Sequence, residues 1–317
     1  MNGTVLVTGA TGLIGSNLIK YLLMNNYRVI GFVRNVEKAR KKLPQSDMLS
    51  LVVGDINEPL LLSDNIDYIV HGASNTSSKA FVDEPVDIIN TALKGTQNML
   101  ELAREKQVKS FVYLSSMEVY GSPLTDEKIN ENHSTNLDTM SVRSSYPESK
   151  RMCESICTAY YKQYGVPIKV IRLTQTFGSG VEYNDNRVFA EFVRCAIEGR
   201  DIVLHTKGET KRCYLSTDDA VDAIMTVLLK GKNGEAYNAA NEETYCSIYE
   251  MAQMVAHECT KDRIGVHIEI EDESKYGFAP VLRMNLDTSK LKSLGWKAND
   301  SLSNMFNALW TNFSEAK

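Results

Sequence analysis

The chain has 317 residues, 43% of them hydrophobic, enough for one large α/β domain or a main domain with a smaller companion. Its formal net charge of −5 argues against a general nucleic-acid or membrane-surface role, while leaving room for a small anion bound by a local cluster of cations. Six cysteines without a CxxC pair and no apolar run near the ~20 residues of a membrane span point to a soluble protein with buried thiols and no metal site.

A strand pattern begins within three residues of Met1, so no signal peptide is expected, and a reducing, cytoplasmic location follows. Thr4–Thr8 is a short β-branched run. Leu13–Met24 has helical spacing, with Leu13, Ile14, Leu18, Tyr21 and Leu22 apolar. Strand patterns recur at Arg28–Val33, Leu49–Val53, Tyr68–Val70, Ser110–Leu114 and Ile168–Leu173. Helix patterns fall between them at Glu37–Leu43, Val86–Lys106 and Glu148–Tyr164. Alternation at this spacing predicts right-handed crossovers and a parallel, doubly wound α/β sheet, whose ligands lie at the carboxyl ends of its strands.

After Leu173 the rhythm changes. A Gly- and Asn-containing loop precedes a helix at Val188–Gly199 and a strand at Ile202–Leu204. A helix at Asp218–Leu229 and a strand at Ala236–Ala239 could return to the main sheet. Another helix, a strand near Val266–Ile270 and a final helix from Leu302 follow. The expected organisation is a first domain of residues 1–173, to which 214–240 return, and a smaller interleaved substrate lobe of 174–213 and 241–317.

The turn after the first strand reads Gly9-Ala10-Thr11-Gly12-Leu13-Ile14-Gly15. Gly9 permits a tight turn. Gly12 lets the backbone approach a pyrophosphate, whose charge meets the helix N-terminus, and Gly15 lets helix and sheet pack closely. At the end of the second strand an acid would bind the ribose 2′-hydroxyl of NAD. Here stands Arg34, with Lys38, Arg40 and Lys41 nearby. A guanidinium suits a 2′-phosphate and tilts the expectation within NAD(P) toward NADP; a solvated basic helix face is the alternative. Asp55 and Ile56 follow the third strand, where Asp55 could accept from an adenine amine.

Ser115-Ser116 follows the fifth strand, and Tyr146 precedes Lys150 by four residues, on one helix face. A tyrosine with a pKa of ~10 is a poor base, but an adjacent ammonium and an oxidised nicotinamide favour its phenolate. Tyr146 could then take a hydroxyl proton as hydride leaves, with Ser116 holding the same oxygen.

These motifs resemble the extended short-chain dehydrogenase/reductase family, in particular its nucleotide-sugar epimerases, dehydratases and decarboxylases. Thr8–Gly15, Gly54–Ile56, His71–Ser74, Asn90–Leu100, Leu114–Gly121, Ser145–Lys150 and Asp287–Trp296 carry the likeness. The resemblance implies a Rossmann fold with a smaller C-terminal substrate lobe. It implies cofactor contacts from Gly9, Thr11, Gly12, Leu13, Ile14, Arg34, Asp55, Ile56, Gly72, Ala73, Ser74, Tyr146 and Lys150. It also implies a catalytic loop in which Ser116 and Glu118 serve, and a homodimer through helices 86–106 and 148–164.

Two departures stand out. Sugar dehydratases carry an Asp-Glu pair in this loop, and here Met117 precedes Glu118; a thioether cannot protonate a leaving hydroxyl. Where the family has an Asn after the sixth strand, this chain has Gln175. Met117, Gln175, Arg187 and Arg212 are the expected substrate contacts, with surface salt bridges the alternative for the two arginines. The expected reaction oxidises a ring hydroxyl of a nucleotide sugar to a ketone, followed by epimerisation or decarboxylation. An NADPH-dependent reductase of a keto sugar or other small carbonyl is the alternative, and a non-catalytic dinucleotide sensor is a third.

Overall fold

The computed structural model describes residues 2–134, 136–270 and 281–315. The first half runs β1 (Thr4–Thr8), α1 (Leu13–Met24), β2 (Arg28–Val33), α2 (Val36–Lys42), β3 (Leu49–Val53), β4 (Tyr68–His71), α3 (Ala80–Asp83), α4 (Pro85–Glu105), β5 (Ser110–Ser116), α5 (Ser145–Tyr164) and β6 (Ile168–Leu173). The second half continues with β7 (Gln175–Phe177), α6 (Val188–Glu198), β8 (Ile202–Leu204), β9 (Lys211–Ser216), α7 (Thr217–Lys230), β10 (Ala236–Ala239), β11 (Asn241–Ser247), α8 (Ile248–Thr260), β12 (Val266–Ile268), β13 (Arg283–Met284), α9 (Ser289–Lys292) and α10 (Leu302–Glu315). Single 3-10 turns at Met117–Tyr120 and Val142–Ser144 link β5 to α5.

The main sheet has seven parallel strands in the order β10-β6-β5-β4-β1-β2-β3. Its central strands are apolar on both faces because helices cover both. Leu18, Ile19 and Leu22 of α1 and Ile224 and Val227 of α7 seal one face. Met99, Leu100, Cys153 and Cys157 of α4 and α5 seal the other. The strand order reverses between β1 and β4, which opens a crevice at their carboxyl ends.

A second core of Phe177, Phe189, Phe192, Val255, Phe306 and Phe313 holds the smaller lobe together. There β11, β9 and β13 form a sheet, with β7 paired to β9. The sequence patterns do not announce this sheet. They assign 214–216 to the main domain; β9 pairs with β7, β11 and β13, although its Leu215 reaches the main core, while α7 packs on the large sheet and β10 joins it. The helix expected from Glu148 begins at Ser145, because Pro147 is tolerated in a first turn whose N–H groups lack intrahelical partners. Among the described residues no helix is long and apolar enough to cross a membrane, and no His, Cys, Asp and Glu cluster could hold a metal.

Candidate active site

The β1–α1 turn is built by backbone crowding. Gly9 has φ +70°, and a Cβ there would lie 2.6 Å from the Gly72 carbonyl. A Cβ on Gly15 would meet the Gly9 carbonyl at 2.2 Å. Gly12 is the N-cap of α1 and supplies no side-chain cap, and the first turn holds no acid. The helix therefore presents its N-terminal dipole and N–H groups to the crevice. Thr11, Leu13 and Ile14 are half-buried around it. Leu13 packs against the smaller lobe's core and Ile14 against the main core.

Opposite this turn, Gly72 and Ala73 donate their N–H groups to Thr8 Oγ1, at 3.2 and 3.1 Å. With both lone pairs occupied, the Thr8 hydroxyl donates to His71 Nδ1 at 2.7 Å, which leaves Nε2–H to point at Thr96 Oγ1, 3.3 Å away. Burial and the charge of Lys150 push His71 down to about 3, so it is a neutral strut that joins β1, β4 and α4. Ser74 is half-buried just beyond. Arg34 and Asp55 are exposed at the ends of β2 and β3, and Asp55 Oδ1 accepts from Asn57 N at 2.9 Å. Ile56 is buried, and its side chain fills the space above Gly95 of α4.

Ser116 ends β5, and its hydroxyl accepts from Glu118 N at 3.2 Å. The Tyr146 phenol faces Ser116, and its ring stacks on Phe81 of α3, with ring centroids 4.3 Å apart. Burial, then the negative charge of Glu118, raise the Tyr146 phenol above its ordinary range; Ser116 and Arg143 pull the other way. In the protein alone, desolvation outweighs every group that favours the phenolate. Lys150 is buried and donates to the Leu114 carbonyl at 2.8 Å, its ammonium 5.7 Å from the Tyr146 ring centre. Burial lowers Lys150 to about 8.

Glu118 is gripped by Arg143, Nη1 to Oε2 at 2.9 Å and Nη2 to Oε1 at 3.4 Å. Met117 turns away into a cluster with Val119, Tyr120, Ile129, Cys213 and Met284. There its sulfur lies 3.3 Å from the Thr174 hydroxyl, which donates to the Cys213 carbonyl. The Met117 side chain thus anchors the loop to the smaller lobe. Arg212 Nη1 donates to Gln175 Oε1 at 2.9 Å, while Arg212 Nε is buried without a hydrogen-bond partner among the described residues. Arg187 is engaged by Asp185, Nη2 to Oδ2 at 2.6 Å.

A family model described as "NAD dependent epimerase/dehydratase family" matches residues 5–240. The chain belongs to this family. It is an NAD-dependent enzyme of the epimerase/dehydratase type. UDP-glucuronic acid decarboxylase 5 of Arabidopsis thaliana is 30% identical over 301 residues, 93% of this chain and 85% of that protein. UDP-glucuronic acid decarboxylase 1 of Danio rerio is 31% identical over 255 residues, 79% of this chain, and the match spans 59% of that protein's length. The solved structure of UDP-N-acetylglucosamine 4-epimerase from Methanobrevibacter ruminantium M1 in complex with UDP-N-acetylmuramic acid superposes with a TM-score of 0.86 at 19% identity, covering 99% of each chain, and shares the fold.

The crevice fits the family's cofactor. Its cradle is one that any Cβ at Gly9 or Gly15 would fill, and the helix start behind it is uncapped by side chains. Sequence reasoning left out three groups that shape the site: Phe81 under Tyr146, Arg143 on Glu118, and the Glu154–Arg172 pair behind Ser115. Arg143, three residues before Tyr146, was the one with a visible signal.

Proposed function

We propose that this enzyme oxidises a ring hydroxyl of a UDP-linked hexuronate to a ketone and that the adjacent carboxylate then leaves as carbon dioxide. The observation that carries the reading is the convergence of Ser116, Tyr146 and Lys150 at the mouth of the glycine crevice. The names of the two decarboxylase relatives supply the substrate class. Bound NAD supplies reversible hydride acceptance. The backbone of Gly9, Thr11, Gly12, Leu13 and Ile14 would hold its pyrophosphate, and Asp55, Ile56, Gly72, Ala73, Ser74 and Lys150 its other parts.

Ser116 binds the reacting oxygen and Tyr146 removes its proton. The new ketone makes the substrate a β-keto acid. Its ring-to-carboxylate bond breaks, the electron pair passes into the enolate, and carbon dioxide departs. A proton then returns to the ring carbon, a step for which Glu118 is the nearby carboxylate. Arg212 and Gln175 are the favoured diphosphate contacts, because a buried guanidinium N–H there still lacks an acceptor. Arg187 would need to leave Asp185 to join them. Dehydration is disfavoured, since the thioether of Met117 is buried and has no proton to give.

The test incubates the protein with NAD and UDP-glucuronic acid and follows carbon dioxide and the nucleotide product by mass spectrometry. Tyr146→Phe should lower turnover by ~100-fold or more. Conversion without loss of carbon dioxide would reject decarboxylation in favour of epimerisation.

The alternative reading, an NADPH-dependent reductase, draws on Arg34, which is exposed, forms no ion pair among the described residues and stands where a ribose-binding acid is expected. Arg34→Asp should then swing binding from NADP toward NAD by ~10-fold or more, because a carboxylate repels a 2′-phosphate and accepts from a 2′-hydroxyl. Equal NADP affinity in both forms would remove this reading.

A further inference from the structure

We propose that Arg143 is a positioning residue that both fixes the Glu118 carboxylate beside Tyr146 and cancels its charge, so that Tyr146 can lose its proton next to an acid. This inference rests on the reading of Tyr146 as the base. Three geometric facts support it. The guanidinium takes both Glu118 oxygens in a fork, and each side chain keeps only about a quarter of its surface exposed. Glu118 lies two residues after Ser116, and Arg143 lies three before Tyr146, so the pair staples together the two segments that bear the reacting hydroxyls. The Arg143 guanidinium also lies 5.7 Å from the Phe81 ring centre, and Phe81 is the ring on which Tyr146 stacks.

The electrostatic consequence follows from the inventory around the phenol. Ser116 faces it from β5, Glu118 and Arg143 from the two 3-10 turns, Phe81 from α3, Lys150 from its own helix, and Tyr113 from within β5. Glu118 is the one carboxylate among these, and it opposes a second negative charge at Tyr146. Arg143 offsets it at close range. Removing Arg143 leaves an unpaired, partly buried carboxylate next to the base. Removing both charges restores neutrality.

The test uses the NAD-loaded full chain and two readouts. The first is the tyrosinate absorbance of each variant minus that of the same variant carrying Tyr146→Phe, which isolates ionisation of Tyr146 without any turnover. The second is the pH profile of carbon dioxide release from UDP-glucuronic acid. A base must be deprotonated to act, so activity rises with pH through the Tyr146 transition. Arg143→Met should move that transition upward by ~1 pH unit and lower kcat by ~10-fold or more, with KM changed only a few-fold. Arg143→Lys keeps the charge and loses the fork, so the transition should stay near that of the parent while kcat falls. Glu118→Gln should move the transition downward, and R143M combined with E118Q should bring it back from the R143M position.

An unmoved transition in R143M, or an equal upward shift in R143K, overturns the proposal. If R143M does not fold, E118Q and R143K decide: an unmoved transition in E118Q overturns it. A wild-type acid limb retained in Tyr146→Phe is a different failure, that of the base assignment itself.

Discussion

Lys150 shows how burial tunes a single residue. It sits beneath the site with the Leu114 carbonyl as its acceptor, and desolvation draws it down to about 8. Its value in the unfolded chain is ~10.4. Between these values the unfolded state binds the extra proton, so the contribution of Lys150 to stability rises with pH through this window. Below the folded value both states carry the charge and the full cost of burying it remains. The wild-type Tm should therefore climb relative to that of Lys150→Met between pH 7.5 and 10, by a few degrees in thermal scans. A constant difference across that range would mean that the ammonium is not desolvated. The Tyr146–Lys150 spacing was legible because both residues lie on one helix and the period alone pairs them. The Glu118–Arg143 pair was not legible. Its members are 25 residues apart on separate 3-10 turns, and only the folded chain brings them together.

At the scale of elements, the alternation of strand and helix could be read directly because each segment carries its own period and the sheet buries both faces. The second sheet could not be. β7 and β13 are three and two residues long, and β11 pairs with β9 through an irregular register. Such strands are defined by distant partners rather than by local pattern. The joint between α5 and β6 was equally hidden. Glu154 accepts from Arg172 at 2.6 and 3.0 Å and from the Ser115 hydroxyl at 2.6 Å. Arg172 goes on to the Tyr120 hydroxyl at 2.7 Å, and Tyr120 donates to Asn238 Oδ1 at 2.7 Å. This chain of bonds ties α5, β6, the Met117–Tyr120 turn and β10 together behind Ser116. Breaking one partner strands the other charge, so Arg172→Met should cost ~3 kcal/mol or more in urea unfolding. Pairing Arg172→Met with Glu154→Leu should cost less than R172M alone, because no charge is then left buried. An R172M value below ~1 kcal/mol would mean that solvent already screens the pair.

For the whole molecule the question is what covers the outer side of α4 and α5. The two helices lie side by side on one face of the main sheet and seal its core with Met99, Leu100, Cys153 and Cys157. Their other sides expose Val86 at 66%, Ile89 at 39% and Met152 at 53%. Exposed apolar side chains gain ~25 cal/mol for each Å² removed from water. A second copy related by a twofold axis would bring the same stripe onto itself and form a four-helix contact. This supports the homodimer expected from the resemblance. Light scattering at micromolar concentration should give twice the chain mass. Ile89→Glu combined with Met152→Glu should give a monomer with unchanged far-UV circular dichroism, since both side chains already point away from the core. A wild-type monomer under those conditions would reject the interface. Such a dimer would link assembly to chemistry. Met152 lies two residues from Lys150 on α5, the helix that also bears Tyr146, and Phe81 precedes α4 by a few residues. The monomeric variant should therefore bind NAD more weakly and show a looser Tyr146, measurable as a fall in cofactor retained after gel filtration. Retention equal to that of the dimer would mean that the sheet alone holds the site in place.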